Sequence, residues 1–173
     1  MIVTLIGMMG SGKSSVAKVL ADKLKWRWLD TDEEIVKMEG KSIEEIFQQQ
    51  GEGYFRKREK KIIANIYKEY DNIIVATGGG AILASSSRKY FLAKGKVFWL
   101  AASIETLLAR TENSSRPLLQ NEERKKKLKK LLAARLKYYK IGEKIETDNL
   151  SVEEVADIIL DKLPIQGKEW YND

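Results

Sequence analysis

Residues 7–14 constrain the fold of this chain more than any other stretch, because they read Gly-Met-Met-Gly-Ser-Gly-Lys-Ser. Residues 2–6, directly before them, form an apolar run rich in β-branched side chains, which predicts a buried strand. After Lys13 and Ser14, apolar residues recur at helical spacing. The pattern G-x-x-x-x-G-K-[ST] between a strand and a helix predicts a loop that binds phosphate groups.

The chemistry of this loop follows from its residue types. Glycines let successive backbone N–H groups converge on an anion, and the N-terminus of the following helix adds a positive field. We expect Lys13 to reach the β- and γ-phosphates and the hydroxyl of Ser14 to bind Mg²⁺. The alternative is an ordinary glycine-rich turn. The residues expected to contact the nucleotide here are Gly10, Ser11, Gly12, Lys13, Ser14 and Ser15.

Composition narrows the chemistry further. The chain of 173 residues has no cysteine and no histidine, which excludes disulfides, thiolate metal sites and acid–base catalysis by histidine. With 43% apolar and 32% charged residues, it fits one soluble domain spanning 1–173. The apolar start is too short for a signal peptide, and no run approaches a membrane span. We therefore expect a cytoplasmic enzyme with no membrane partner, and a monomer.

The net charge of +6 suits either nucleic acid or small anionic substrates. Much of the excess lies in 124–130, where six of seven residues are basic. We interpret these side chains as a solvated helix face, since no aromatic platform or recognised nucleic-acid motif accompanies them. We therefore expect no nucleic-acid partner.

Strand and helix patterns alternate along the chain, which predicts an α/β fold with helices on both faces of a parallel sheet. Further strands are expected at 26–29, 72–77 and 96–101, with a weaker fifth at 144–147. Helical patterns follow near 32–39, 42–49, 53–69, 86–94, 103–111, 121–140 and 151–162. Ligands of such folds collect at the carboxyl ends of the strands.

Two aspartates, Asp30 and Asp32, follow the second predicted strand. Proteins with a phosphate-binding loop often take a Mg²⁺-associated carboxylate from the end of a buried strand, but the third and fourth strands here end without one. Asp30 is the best placed candidate, which leaves Asp32 to position or deprotonate an acceptor hydroxyl. Alternatively, one or both cap the next helix.

Arg56 and Glu59 are spaced to pair along a helix, and Glu59 falls on its apolar stripe. Either Glu59 holds Arg56 for an anionic substrate, or the two form a surface pair of little consequence. Gly78, Gly79 and Gly80 indicate either a tight turn or the close approach of a ligand. Composition does not decide between these alternatives.

Arg135 lies within an apolar stripe formed by Leu128, Leu131, Leu132, Leu136 and Tyr139. An arginine on a core face requires an anion, from the protein or from a ligand. Between two helices, Arg116 occupies a short polar segment after Arg110. Such a segment suits either a mobile lid over phosphates or an ordinary surface loop.

These motifs together resemble shikimate kinase, in the nucleoside-monophosphate-kinase-like group of phosphate-loop proteins. The resemblance covers the chain from Met1 to about Leu160. The motifs that carry it are GMMGSGKS at 7–14, DTD at 30–32, FRKRE at 55–59, TGGGAI at 77–82, RPLL at 116–119 and LLAARLKYY at 131–139. It implies a P-loop NTPase fold, with three α/β/α layers around a five-stranded parallel sheet of order 2-3-1-4-5. It also implies a substrate-binding segment near 32–60 and a lid near 111–121.

The resemblance further implies transfer of the ATP γ-phosphate to the 3-hydroxyl of shikimate, with Mg²⁺. Lys13 and Ser14 would serve phosphate and metal, with Asp30 near the metal. Asp32 would bind the shikimate hydroxyls and orient or deprotonate the attacking one. The other implied contacts are Arg56 and Arg135 to the shikimate carboxylate, Glu59 as their support, the glycines at 78–80 to the substrate, Arg116 to the transferring phosphate and Arg110 to adenine.

Three other functions compete with this hypothesis. Another small-molecule kinase, for gluconate or a nucleotide, fits the phosphate-binding loop. Two arginines suited to one carboxylate favour a carboxylic acid over a nucleotide, but gluconate also carries a carboxylate, and it is the FRxxE and RPLL motifs that favour shikimate. A regulatory ATP-binding domain would have no reason to retain Lys13, Asp30, Asp32, Arg116 and Arg135 together. A basic nucleic-acid-binding protein would show steeply salt-dependent binding.

Overall fold

The structure, a computed structural model, describes residues 1–111 and 124–164. Five parallel strands form one sheet in the order β2-β3-β1-β4-β5, which confirms the predicted topology. The strands are β1 (Ile2–Ile6), β2 (Arg27–Asp30), β3 (Ile73–Ala76), β4 (Gly95–Ala101) and β5 (Glu143–Glu146). The helices are α1 (Lys13–Leu24), α2 (Thr31–Glu39), α3 (Ile43–Glu69), α4 (Ser85–Ala93), α5 (Ile104–Arg110), α6 (Arg124–Tyr139) and α7 (Val152–Asp161).

The central strand β1 is buried along its whole length. It pairs with β3 on one side and β4 on the other. Its side chains alternate between the faces, so Ile2 and Ile6 join one core cluster while Val3 and Leu5 join a second. One cluster includes residues of α3, α4 and α6, and the other includes residues of α1 and α7. This gives three layers, as predicted.

The two helices predicted at 42–49 and 53–69 are joined as α3, which is interrupted at Gly51. Gly51 has φ 77° and ψ 170°, a left-handed conformation that suits glycine. Ser42 and Glu45 form a capping box at the start of this helix. The first half of α3 is thereby fixed beside α2, and the two line one side of a cavity described below.

No helix within the described ranges is long and apolar enough to cross a membrane. Of the predicted lid at 111–121, only Thr111 is described, so the prediction for Arg116 falls outside these residues.

Candidate active site

Two adjoining cavities lie around the ends of β1, β2 and β3. The smaller, about 320 Å³, lies at the glycine-rich loop, and the larger, about 570 Å³, lies between α2, α3 and α6. Asp32 lines both cavities. The predicted nucleotide and acceptor sites are therefore neighbours that share a carboxylate.

The loop between β1 and α1 has the backbone shape that its sequence predicts. Gly10 and Gly12 have φ of 79° and 90°, which favours glycine at both positions. Lys13 is buried and folds back over the loop, donating from Nζ to the Met8 carbonyl over 2.8 Å. Ser11 is buried beside it, with Oγ 3.4 Å from Lys13 Nζ. Of the residues predicted for the nucleotide, those that line the smaller cavity are Gly10, Gly12, Lys13, Ser14, Ser15 and Arg110, whereas Ser11 is buried and does not line it.

Arg110, at the end of α5, is held by the chain that follows β5. Its Nη2 donates to the Thr147 carbonyl over 3.0 Å. Asp148 accepts the backbone N–H of Ser103 over 2.8 Å. Arg110 lines the smaller cavity, and its contact with adenine stays a prediction.

Ser14 and Asp30 meet in the smaller cavity, where the Ser14 hydroxyl donates to Asp30 Oδ2 over 2.5 Å. The other carboxylate oxygen, Oδ1, accepts the backbone N–H of Asp32 over 2.8 Å and so caps α2. The helix begins at Thr31, one residue earlier than predicted. The capping aspartate is therefore Asp30 and not Asp32.

The donor set of Ser14 and Asp30 suits Mg²⁺, which favours hard oxygen ligands and completes its octahedron with water and phosphate oxygens. Within residues 1–111 and 124–164, no group of three or more acidic, cysteine or histidine residues is arranged to hold a metal ion by itself. A metal ion at this position would therefore depend on a bound nucleotide for the rest of its ligands.

The larger cavity brings together the charged residues that the sequence singled out. Arg56 on α3 donates from Nη1 to Glu59 Oε2 over 2.8 Å, and also contacts the exposed Glu52 at 3.2 Å. Arg135, on α6, is only 3% exposed and lines the same cavity. Glu59 is 1% exposed, so the pair with Arg56 is not the surface pair of the alternative interpretation.

The three glycines after β3 form a turn whose every residue touches a different part of this site. A Cβ on Gly78 would lie 2.5 Å from Asp32 Oδ1, and one on Gly80 would lie 2.3 Å from Arg56 Nη2. A Cβ on Gly79 would lie 3.4 Å from Arg135 Nη1. None of the three has a left-handed φ. Close approach of functional side chains, rather than turn conformation, explains these glycines.

Burial raises the pKa of Glu59 to about 7. The nearby carboxylate of Asp32 adds to this rise, and the positive charges of Arg56 and Arg135 oppose it. The pKa of Arg56 is raised as well, because the attraction of Glu59 and Glu52 outweighs the effect of burial. The cavity therefore contains two arginines from different helices and one carboxyl group that titrates near neutral pH.

Two contributors to the site were not singled out by sequence analysis. Thr31 is fully buried, and its Oγ1 accepts the backbone N–H of Gly78 over 2.8 Å, which ties the two aspartates to the glycine turn. Tyr139 was assigned to the core stripe, yet its hydroxyl donates to the Gly79 carbonyl over 2.8 Å. The position of Thr31 between two candidate aspartates was a sequence signal for its role. The sequence carried no such signal for Tyr139.

The phosphate-binding loop on this sheet topology lies next to a second cavity, and Asp32 lines the cavities on both sides. This arrangement defines a small-molecule kinase of the P-loop class. A sequence model of the family described as shikimate kinase matches residues 9–164. The chain belongs to the shikimate kinase family, whose members use ATP as the phosphate donor.

Individual relatives agree with this assignment. Shikimate kinases of Francisella philomiragia subsp. philomiragia and Francisella tularensis subsp. novicida are 42% and 41% identical to the chain over 158 residues, which cover 90% of the chain and 90% of each relative. A solved structure of shikimate kinase from Acinetobacter baumannii in complex with shikimate superposes with a TM-score of 0.90 at 35% identity, covering 93% of this chain and 91% of that one. A deoxyadenosine kinase from M. mycoides, 18% identical with a TM-score of 0.57, shares the fold.

Proposed function

We propose that this enzyme transfers the γ-phosphate of ATP to the 3-hydroxyl of shikimate. The observation that carries the proposal is the larger cavity, where Arg56 and Arg135 approach from two helices and Asp32 joins it to the phosphate-binding loop. Two guanidinium groups in one cavity suit a carboxylate, because each presents paired N–H donors to its oxygens. Shikimate is a small carboxylic acid with hydroxyl groups, which matches this arrangement.

The residues divide the work of phosphoryl transfer, which requires positioning and charge stabilisation more than covalent chemistry. Arg56 and Arg135 bind the substrate carboxylate, with Glu59 supporting Arg56. The glycines at 78–80 allow the substrate close to the backbone. Asp32 aligns the attacking hydroxyl and accepts its proton as the phosphate transfers.

On the nucleotide side, the loop N–H groups and Lys13 bind the phosphates and Arg110 contacts the adenine. Ser14 and Asp30 would hold Mg²⁺, which when bound supplies charge neutralisation at the phosphate oxygens. Arg116 is proposed, from the family resemblance, to reach the transferring phosphate from a lid at 111–121. Closure of that lid excludes water, so that ATP is not hydrolysed.

We also propose that the enzyme is a cytoplasmic monomer with no nucleic-acid or membrane partner. One lysine of the basic stretch at the start of α6, Lys125, pairs with Glu105 at 2.8 Å. This ion pair supports the interpretation of the stretch as a solvated helix face rather than a nucleic-acid site. Light scattering coupled to size-exclusion chromatography tests whether the enzyme is a monomer. Binding to DNA and RNA at low salt tests whether it has a nucleic-acid partner.

The experiment that tests the function measures ADP release from Mg·ATP with shikimate, gluconate, nucleoside monophosphates or no acceptor. We expect rapid release with shikimate alone. Release with another acceptor, or with none, would mean that the acceptor cavity has been assigned wrongly while the nucleotide site stands. Binding of ATP without release under any condition would favour a regulatory domain.

A further inference from the structure

Neither the packing of its ring nor the proposed chemistry explains why residue Tyr139 carries a hydroxyl group. It is the last residue of α6, fully buried, and does not line either cavity. Arg135 lies one turn earlier on the same helix face. The Tyr139 ring stacks on Trp99 of β4, with centroids 5.7 Å apart and planes at 17°. The ring is thus fixed, and its hydroxyl points at the glycine turn.

The hydroxyl of Tyr139 joins three parts of the site. It donates to the Gly79 carbonyl over 2.8 Å and lies 3.5 Å from Met8 Sδ. Arg135 Nη1 lies 3.8 Å from the same sulfur. Burial raises the pKa of Tyr139 to about 12, so the hydroxyl keeps its proton and can donate near neutral pH. Titration of Tyr139 therefore does not interrupt this contact near neutral pH.

The hydrogen bond to the Gly79 carbonyl also fixes the orientation of the peptide between Gly79 and Gly80. A trans peptide is planar, so its C=O and the next N–H point in opposite directions. With the Gly79 carbonyl directed at Tyr139, the Gly80 N–H points to the opposite side of the turn. Gly78, Gly79 and Gly80 line the larger cavity, and Tyr139 does not. The hydrogen bond from Tyr139 therefore fixes the orientation of a peptide that lines the larger cavity.

We propose that Tyr139 is a positioning residue for the acceptor, holding the Gly79–Gly80 peptide and the helix that carries Arg135 in register beneath the substrate carboxylate. Its hydroxyl does not touch substrate, and it acts through Gly79 and α6. The inference rests on the proposed function, since it assigns the larger cavity to a carboxylic acid acceptor.

Tyr139→Phe tests the proposal, because it removes one oxygen atom and retains the ring that stacks on Trp99. A matched control exists in Tyr67→Phe. Tyr67 is equally buried, and its hydroxyl pairs with Thr4 in the core rather than with the site. Each variant loses one buried hydrogen bond of a tyrosine hydroxyl, with a backbone carbonyl for Tyr139 and with a threonine hydroxyl for Tyr67. A purely structural role therefore predicts similar behaviour in both.

We expect Tyr139→Phe to raise KM for shikimate by about three- to tenfold, the range that a lost neutral hydrogen bond supports, while kcat and KM for ATP stay close to wild type. Calorimetric titration with shikimate alone should show the same loss of affinity. Tyr67→Phe should leave both constants unchanged. Urea unfolding of both variants shows that each is folded.

Two results would overturn the proposal. One is a KM for shikimate in Tyr139→Phe that equals the value in Tyr67→Phe. The other is a fall of kcat with no change in that KM. Failure of the proposed function is separate from either, since it would appear as no shikimate-dependent ADP release by the wild-type enzyme.

Discussion

Arg56 and Glu59 form an ion pair of 2.8 Å in which only one carboxylate oxygen is used. The other oxygen, Oε1, is buried with no hydrogen-bond partner in the described part of the chain. It lies beside Gly78, where an added Cβ would approach it to 2.8 Å. Glu59 therefore holds the guanidinium of Arg56 at the cavity with one carboxylate oxygen, while burial leaves its other oxygen without a hydrogen bond in the described part of the chain.

The raised pKa of Glu59 predicts a pH-dependent stability. The folded protein holds this group at a pKa of about 7, against an ordinary value of 4.5, so folding favours the protonated form. Its stabilisation is complete below about pH 4.5 and is lost as the pH rises through 7. We expect Glu59→Gln to remove this loss, which is on the order of 3 kcal/mol between pH 4 and pH 8. Urea unfolding without ligands, at a series of pH values, measures it.

Glu52→Gln is the control for this experiment. Glu52 is the second carboxylate partner of Arg56, at 3.2 Å, but its side chain is 64% exposed. Its substitution should leave a pH curve parallel to that of the wild type. Parallel curves for wild type and Glu59→Gln would show that Glu59 is already ionised well below neutral pH.

Asp32 predicts a separation between turnover and nucleotide binding. It lines both cavities, while the Mg²⁺ position falls to Ser14 and Asp30. Asp32→Asn keeps the shape of the side chain and removes its basicity, so we expect kcat to fall by about 10²- to 10⁴-fold. ATP affinity, measured by calorimetry, should change little.

The exposed Asp22 on α1 provides a matched substitution, since Asp22→Asn removes the same charge at a residue that lines neither cavity. It should turn over normally. Equal losses of turnover and ATP affinity in Asp32→Asn would assign Asp32 a structural role instead.

The fold could be predicted from the sequence because its signals are local. Alternating strand and helix patterns set the class, and the phosphate-binding loop fixed the first strand and helix. One core prediction was wrong. Leu136 was placed in the apolar stripe of α6, but it is 40% exposed. At roughly 100° per residue it lies about 80° from Leu128, whereas Arg135 and Tyr139 lie within about 20°.

The site was predictable where charge conflicts with burial, as at Glu59 and Arg135. Hydrogen bonds between distant elements left no such signal. The alternatives for Gly78–Gly80 stayed open because the side chains that crowd them, among them Arg56 and Asp32, come from other parts of the chain. A tyrosine such as Tyr139 reads as core by periodicity, which says nothing about where its hydroxyl points.

Thr31 links the aspartates to the glycine turn through one hydrogen bond, from the Gly78 N–H to its Oγ1. Thr31→Val keeps the volume and leaves that N–H buried without its acceptor. We expect the free energy of unfolding to fall by about 1–3 kcal/mol, and kcat to fall as Asp32 loses its fixed position. Thr31→Ser restores the hydroxyl and should recover most of kcat. Equal kcat values in the two variants would contradict the link.

Gly80 tests the assignment of Arg56 without straining the backbone of the glycine turn. Its φ and ψ of −101° and −6° are open to alanine, but the new Cβ would lie 2.3–2.6 Å from the guanidinium of Arg56. The flexible guanidinium must move away. We expect Gly80→Ala to raise KM for shikimate roughly ten- to hundredfold, the value of a charged hydrogen bond. Its free energy of unfolding should fall, because a displaced guanidinium leaves the buried Glu59 without its ion pair.

Gly53→Ala completes this comparison, since Gly53 lies in α3 near Arg56 in sequence and an added Cβ there meets nothing within 4 Å. It should gain about 0.5–1 kcal/mol in the free energy of unfolding as a helical alanine and keep a normal KM for shikimate. Steady-state kinetics and urea unfolding of the two variants give both quantities. A normal KM in Gly80→Ala would mean that shikimate binds without the present position of Arg56, and would leave Arg135 as its carboxylate contact.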